Sequence, residues 1–234
     1  MNKILDLLRV FLLCSLFGLA LPVAASADKA PDVLVRDVTN EVLDIVRADK
    51  AIQSGDTTRV IELVDAKVLP HFDFRRMTML AVGRDWRQAS AEQQTRLTDA
   101  FRTLLVRTYS NALTQYRDQR IEFRPSRFAP ADTRVQIRTE VVQAGAQPIG
   151  IDYMLEKGEQ GWKVFDVIVA GVSLVTYYRS NFGQEIARGG IDGLIRSLEE
   201  RNRSLAEQQG LSQGDAGRGA VEQVRAMIEA VPLP

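Results

Sequence analysis

His71, the one histidine of the chain, follows Pro70, and the one cysteine, Cys14, lies in an apolar stretch near the N-terminus. Hydrolytic chemistry of the common kinds needs a nucleophile beside a base, and this pair is poor material for it. His71 reads as a capping or packing residue rather than a general base. With so few thiols and imidazoles the chain offers no zinc ligand set of the ordinary type. Gly189-Gly190-Ile191-Asp192-Gly193 has neither the spacing nor the Lys of a phosphate-binding loop. Acid-base chemistry has one candidate, Asp166, which interrupts the apolar run Val164-Phe165-Asp166-Val167-Ile168. A buried carboxylate facing a tyrosine can move protons on a small substrate, and the predicted layout brings Tyr109, Tyr153, Tyr177 and Tyr178 near it. The competing reading has Asp166 hydrogen-bonded to neighbouring backbone or paired with an arginine. Arg117, Arg120, Arg124, Arg127, Arg134 and Arg138 form a cluster along the chain. They read either as a solvated face interleaved with acids or as a surface for anionic headgroups or an acidic partner.

These residues must be positioned by two kinds of element. Leu34, Val35, Val38, Val42, Ile45 and Val46 draw one helical stripe over 31–52, opened by Pro31. Val60, Ile61, Val64 and Val68 predict a second helix over 58–69, stopped by Pro70, and 74–82 a third before Gly83. Ser90-Ala91-Glu92-Gln93 is a capping box, and Leu97, Phe101, Leu104, Leu105, Thr108, Ala112 and Leu113 continue its stripe to about residue 116. Beyond Tyr116 the period falls to two. Ile121 and Phe123, then Val135, Ile137 and Val141, then Ile149, Ile151, Tyr153 and Leu155, then Trp162 and Val164 predict four strands. Turn residues at Pro130-Ala131-Asp132, Gly145-Ala146-Gln147-Pro148 and Lys157-Gly158-Glu159-Gln160-Gly161 make them an antiparallel meander. Helical spacing returns over 172–182 and 191–205.

The ends differ from this body. Lys3 and Arg9 precede an apolar run from Val10 to Val23 that closes on Ala25-Ser26-Ala27, the pattern of a secretory signal peptide over 1–27 cleaved after Ala27. The run is short for a bilayer span, and Leu13 before Cys14 argues against lipidation. Processing removes the only cysteine, so the expected periplasmic form has no disulfide. The chain carries 30 basic and 30 acidic side chains, and without Lys3, Arg9 and Asp6 it stays within one charge of neutral, which argues against nucleic acid as a partner. Glycines at 210, 214, 217 and 219 mark a flexible tail over 206–234. Within it Val221, Val224, Met227 and Ile228 share one side of a short amphipathic piece, either a frayed end or a helix that docks on a partner or a membrane.

At Leu63-Val64-Asp65-Ala66-Lys67-Val68-Leu69-Pro70-His71-Phe72-Asp73-Phe74 the chain resembles the MlaC family of periplasmic phospholipid-binding proteins, also called toluene-tolerance proteins. Trp162-Lys163-Val164-Phe165-Asp166-Val167-Ile168, running into Gly171-Val172-Ser173-Leu174-Val175, is similar to that family's strand-to-helix junction, and Gly190-Ile191-Asp192-Gly193-Leu194 to its late helix entry. The likeness covers about residues 30–205. It implies an α+β fold in one domain over 28–205: a mainly helical subdomain over 28–116, a nuclear-transport-factor-like sheet over 117–170 and helices over 171–205. The implied function is a phospholipid carrier between an outer-membrane lipoprotein and porin complex and an inner-membrane ABC transporter bearing an MCE-domain ring, maintaining outer-membrane lipid asymmetry. The resemblance implies no enzyme, metal or cofactor. An isomerase or hydrolase using Asp166 is the alternative.

Each methylene hidden from water is worth about 0.8 kcal/mol, so a two-tailed lipid carries a transfer cost on the order of 20 kcal/mol and crosses water only inside a protein. The expected pocket has sheet residues Val135, Ile137, Ile151, Tyr153, Leu155 and Val164 facing helix residues Phe101, Leu104, Leu105, Tyr109 and Leu113, with Val172 at its edge. For any one of these residues a place in a solid core is the competing reading. Docking on donor and acceptor complexes is expected at Arg120, Arg124, Arg134 and Arg138.

Overall fold

A computed structural model describes residues 29–212. The expected signal peptide and the amphipathic piece at 221–228 lie outside the described residues. Helix α1, Pro31–Ala48, opens on its proline and buries Val35, Val42, Leu43 and Val46. The single helix expected over 31–52 is two. Asp49 takes an extended conformation and turns its carboxylate onto the free amides of Ala51 and Ile52, at 2.9 and 3.2 Å, starting the short α2, Lys50–Gln53. The next starts use the same device. Asp56 caps α3, Thr57–Lys67, and Asp73 caps α4, Phe74–Val82, by accepting from Arg59 and Arg76 amides at 3.0 and 2.8 Å. Helix α5, Ala91–Thr114, begins on the complete Ser90/Gln93 capping box.

The sheet is an antiparallel meander in the order β1 (Arg120–Phe123), β2 (Arg134–Val142), β3 (Ile149–Gly158), β4 (Gly161–Val169), β5 (Val172–Ser173). Four strands were expected. The fifth exists because Ala170 and Gly171 both take positive φ, 49° and 85°, and fold the chain back within two residues. Two residues show no alternation, so such a strand leaves no periodic trace.

The last helix, α6, covers Leu174–Ser212 with a break at Gly190, where φ is 67°. Residues 206–212 are therefore helical rather than tail. Gln93 meets Asp192, Arg96 meets Glu199, Asn202 meets the Ala100 carbonyl and Gln209 meets Arg107, so the second half of α6 runs parallel to α5.

Buried side chains fall into three clusters instead of one continuous core. Helices α4, α5 and α6 share Met77, Phe101, Phe182, Leu194 and Leu198, joined by Trp86 from the turn between α4 and α5. Helices α1 to α3 share Val46, Ile52, Val60 and Val64, closed by Tyr116. The third joins Val35 of α1 to Val135, Ile137, Leu155, Trp162 and Val164 of the sheet.

Candidate functional site

Strand register decides which side chains share the sheet's inner face. The rows are Val135, Leu155 and Val164; Ile137, Tyr153 and Val167; Thr139, Ile151 and Val169; then Val141 and Ile149. A bulge between Met154 and Leu155 takes up one extra residue of β4, so both halves of that strand keep an apolar side chain inward. Cover over this face is uneven. The first row is closed, with Val135 6 %, Leu155 0 % and Val164 3 % exposed. Tyr153 and Val167 stand at the margin of that cluster, whereas Val141, Ile149, Ile151 and Val169 are half-buried and belong to none of the three. Helix α5 packs on α3, α4 and α6, and Ile121 of β1 joins its Val106 and Leu113 at the margin of the N-terminal cluster. The sheet is thus filled at one end, while at the other Val141, Ile149, Ile151 and Val169 stay half-buried around the buried Thr139.

A few hydroxyls punctuate this region. Tyr153 is half-buried, yet burial pushes its phenol up to about 12 against a hydrogen bond to Thr139. Thr139 in turn donates to the Ile151 carbonyl at 2.7 Å. Across on the helices, the Tyr109 and Tyr178 hydroxyls share a hydrogen bond and burial raises both phenols. Tyr178 stacks edge-on against Phe101 and Tyr177, with centroids at 4.8 and 5.3 Å.

The residues expected around a pocket divide accordingly. Phe101, Leu104 and Leu105 are packed inside the helical cluster, and Leu104 also floors an open groove shared with Ser197, Glu200 and Arg201. Val135, Ile137, Leu155 and Val164 fill the sheet cluster. Tyr109 stands at the margin of the helical cluster, Leu113 at that of the N-terminal cluster and Tyr153 at that of the sheet cluster. Ile151 and Val172 are half-buried outside all three. Val141, Ile149, Val167 and Val169, which sequence reasoning left out of the pocket, share the inner face with Ile151. Their alternation in the sequence was the available signal.

Asp166 does not meet a tyrosine. It pairs with Met154 across β3 and β4 and so points to the face opposite Tyr153. Its Oδ1 accepts from the Val175 amide at 3.1 Å and its Oδ2 from the Ser173 hydroxyl at 2.6 Å, while Ser173 Oγ accepts from the Thr176 amide at 3.0 Å. The carboxylate anchors the start of α6 to β4, as an N-terminal cap does. His71 ends a single 3-10 turn, Leu69–His71. Burial, with the nearby Lys163 charge, holds its imidazole below the ordinary value. Among the described residues no group of three His, Cys, Asp or Glu side chains could hold a metal ion.

The arginines lie on the outer face. Arg124 pairs with Glu140 and Arg134 with Glu156. Arg138 reaches only the Pro125 carbonyl, at 3.4 Å, and Arg120 is exposed with no polar partner among the described residues.

The family model described as MlaC protein matches residues 36–200. An intermembrane phospholipid transport system binding protein from Haemophilus influenzae is 26% identical over 75% of this chain and 84% of its own length. A toluene tolerance protein from Pseudomonas putida is 26% identical over 74% of this chain and 80% of its own. A phospholipid-binding protein from Ralstonia solanacearum, solved in complex with a phospholipid, superposes with a TM-score of 0.72 at 39% identity, covering 76% of this chain and 99% of that one.

Proposed function

The chain belongs to the MlaC family, and from that premise we propose that it is a periplasmic phospholipid transport protein whose cargo tails lie on the loosely covered end of the inner sheet face. The observation that carries the proposal is the inner-face set Val141, Ile149, Ile151 and Val169, four apolar side chains that stay half-buried outside the three packed clusters, beside the buried Thr139 whose hydroxyl bonds the Ile151 carbonyl. Water left against that surface costs about 25 cal/mol per Å², and acyl chains remove it. The shared fold of a phospholipid complex supports the same reading.

We read the chain as a carrier rather than an enzyme. Both oxygens of Asp166 are engaged in holding α6, so the isomerase or hydrolase alternative is not favoured. Transfer between inner-membrane and outer-membrane complexes belongs to the same proposal. Its docking surface would be the outer face of the sheet, where Arg120 and Arg138 have no carboxylate partner and are free to meet acidic groups.

Native mass spectrometry of protein recovered from the periplasm tests the proposal. Co-purified phospholipid is the expected result. A protein that arrives empty and takes up none from vesicles overturns it.

A further inference from the structure

Four arginines lie over aromatic rings: Arg36 over Phe123, Arg47 over Tyr116, Arg75 over Trp86 and Arg76 over Phe165. Three of them are also held by polar partners. Arg47 meets Asp44 and the Tyr116 hydroxyl, Arg75 donates to Gln94, and Arg76 pairs with Glu156. Arg36 is exposed and has neither a hydrogen-bond acceptor nor a carboxylate partner among the described residues. Its neighbour Asp37 is taken by Lys29 at 2.7 Å. The Phe123 ring, with its centroid 4.2 Å from the guanidinium carbon, covers one face of the planar group and leaves its N–H edges open.

Strand register places this cation beside the cargo face. Phe123 pairs with Thr139, Thr139 with Ile151 and Ile151 with Val169, so the four share one row of the inner face. Neighbouring strands stand about 4.8 Å apart, which sets Phe123 about 10 Å from Ile151. Val33, three residues before Arg36 and on the same side of α1, is 41 % exposed, the one large apolar side chain left outside among the described residues. An unpaired guanidinium above the edge strand, with an uncovered apolar side chain one turn away, suits an amphiphile with an anionic head. A phosphodiester offers two free oxygens that the guanidinium fork can meet together.

We infer that Arg36 binds the phosphate of the phospholipid cargo, so that the headgroup lies over β1 while the tails follow the inner face. The inference rests on reading that face as the cargo site and adds to it the residue that selects lipids bearing a phosphate.

Delipidated protein offered dioleoylphosphatidylglycerol, or dioleoylglycerol with the same tails and no phosphate, in dodecyl maltoside micelles tests it by native mass spectrometry. Arg36→Gln should weaken retention of the phosphatidylglycerol about tenfold and leave that of dioleoylglycerol unchanged. Arg36→Lys, which keeps the charge without the fork, should fall between, and added salt should narrow the gap between wild type and Arg36→Gln. Equal retention of phosphatidylglycerol by wild type and Arg36→Gln overturns the inference. So does an equal loss of both lipids, which would give Arg36 only a packing role on Phe123. Inorganic phosphate titrated into delipidated protein should not bind, and Arg36-dependent binding of phosphate alone would assign the site to the free anion instead. A wild-type protein that takes up neither lipid would refute the carrier reading and this inference with it.

Discussion

Replacing Asp166 separates an anchor from a catalyst. Its side chain is 9 % exposed and accepts two hydrogen bonds, from the Val175 amide and the Ser173 hydroxyl. Asp166→Ala leaves both donors without a partner, and each such buried group costs about 1–3 kcal/mol. Ser173 then holds the Thr176 amide alone. The expected loss is about 2–4 kcal/mol, or about 5–15 °C in Tm for a domain of this size. Asp166→Asn keeps one acceptor and can donate to Ser173 Oγ. It forfeits only the charge at the helix start, about 0.5–1 kcal/mol, and should lower Tm by a few degrees. Thermal melts by circular dichroism on delipidated samples measure both losses, because bound lipid would add its own stabilisation. Phospholipid content by mass spectrometry and rescue of a deletion strain should follow the folded fraction in both variants. An Asn variant with unchanged Tm and normal lipid content that fails to rescue would refute the argument and return Asp166 to chemistry.

Ile151→Trp should reduce bound phospholipid with Tm nearly unchanged in delipidated protein, whereas Leu105→Trp overpacks a filled helical core and should cost about 1–3 kcal/mol; the reverse pattern, read by melts and mass spectrometry, would misplace the pocket. His71 is held neutral below its ordinary value, so on acidification the unfolded chain takes the proton first, and stability should fall as pH drops below about 6.5 towards the folded value. His71→Gln should flatten that slope in denaturant titrations across this window, and an unchanged slope would place the titration elsewhere. Arg120→Glu with Arg138→Glu should weaken binding to the membrane complexes and remove its salt sensitivity while lipid content stays normal; unchanged, salt-indifferent binding would leave these arginines a solvated face.

Local chemistry explains why much of the fold was legible. The Ser90/Gln93 box bonds within three residues of itself, and the starts at Asp56 and Asp73 are equally short-range. The inward sets of β2 and β3 alternate strictly, as a half-buried strand must. Asp49 shows the limit: an apolar stripe continues across it, but its carboxylate competes for the amides of the next turn and splits the helix.

The sequence by itself determined the element order, the antiparallel meander and, through its motifs, the family resemblance. Only the tertiary structure decided which inward side chains are packed into a core and which stay half-buried outside it. Leu105 and Ile151 carry the same signal, an apolar residue in phase with its element, because periodicity records which way a side chain points and not what stands opposite. Leu105 lies in the cluster that α5 shares with α6 and closes a core; Ile151 stays half-buried outside the three packed clusters. Asp166 depended on space in the same way, since the hairpin through Ala170 and Gly171 brings Ser173 and Val175 to its carboxylate. That folding back on itself is a property of the assembled sheet and no pattern along the strand encodes it.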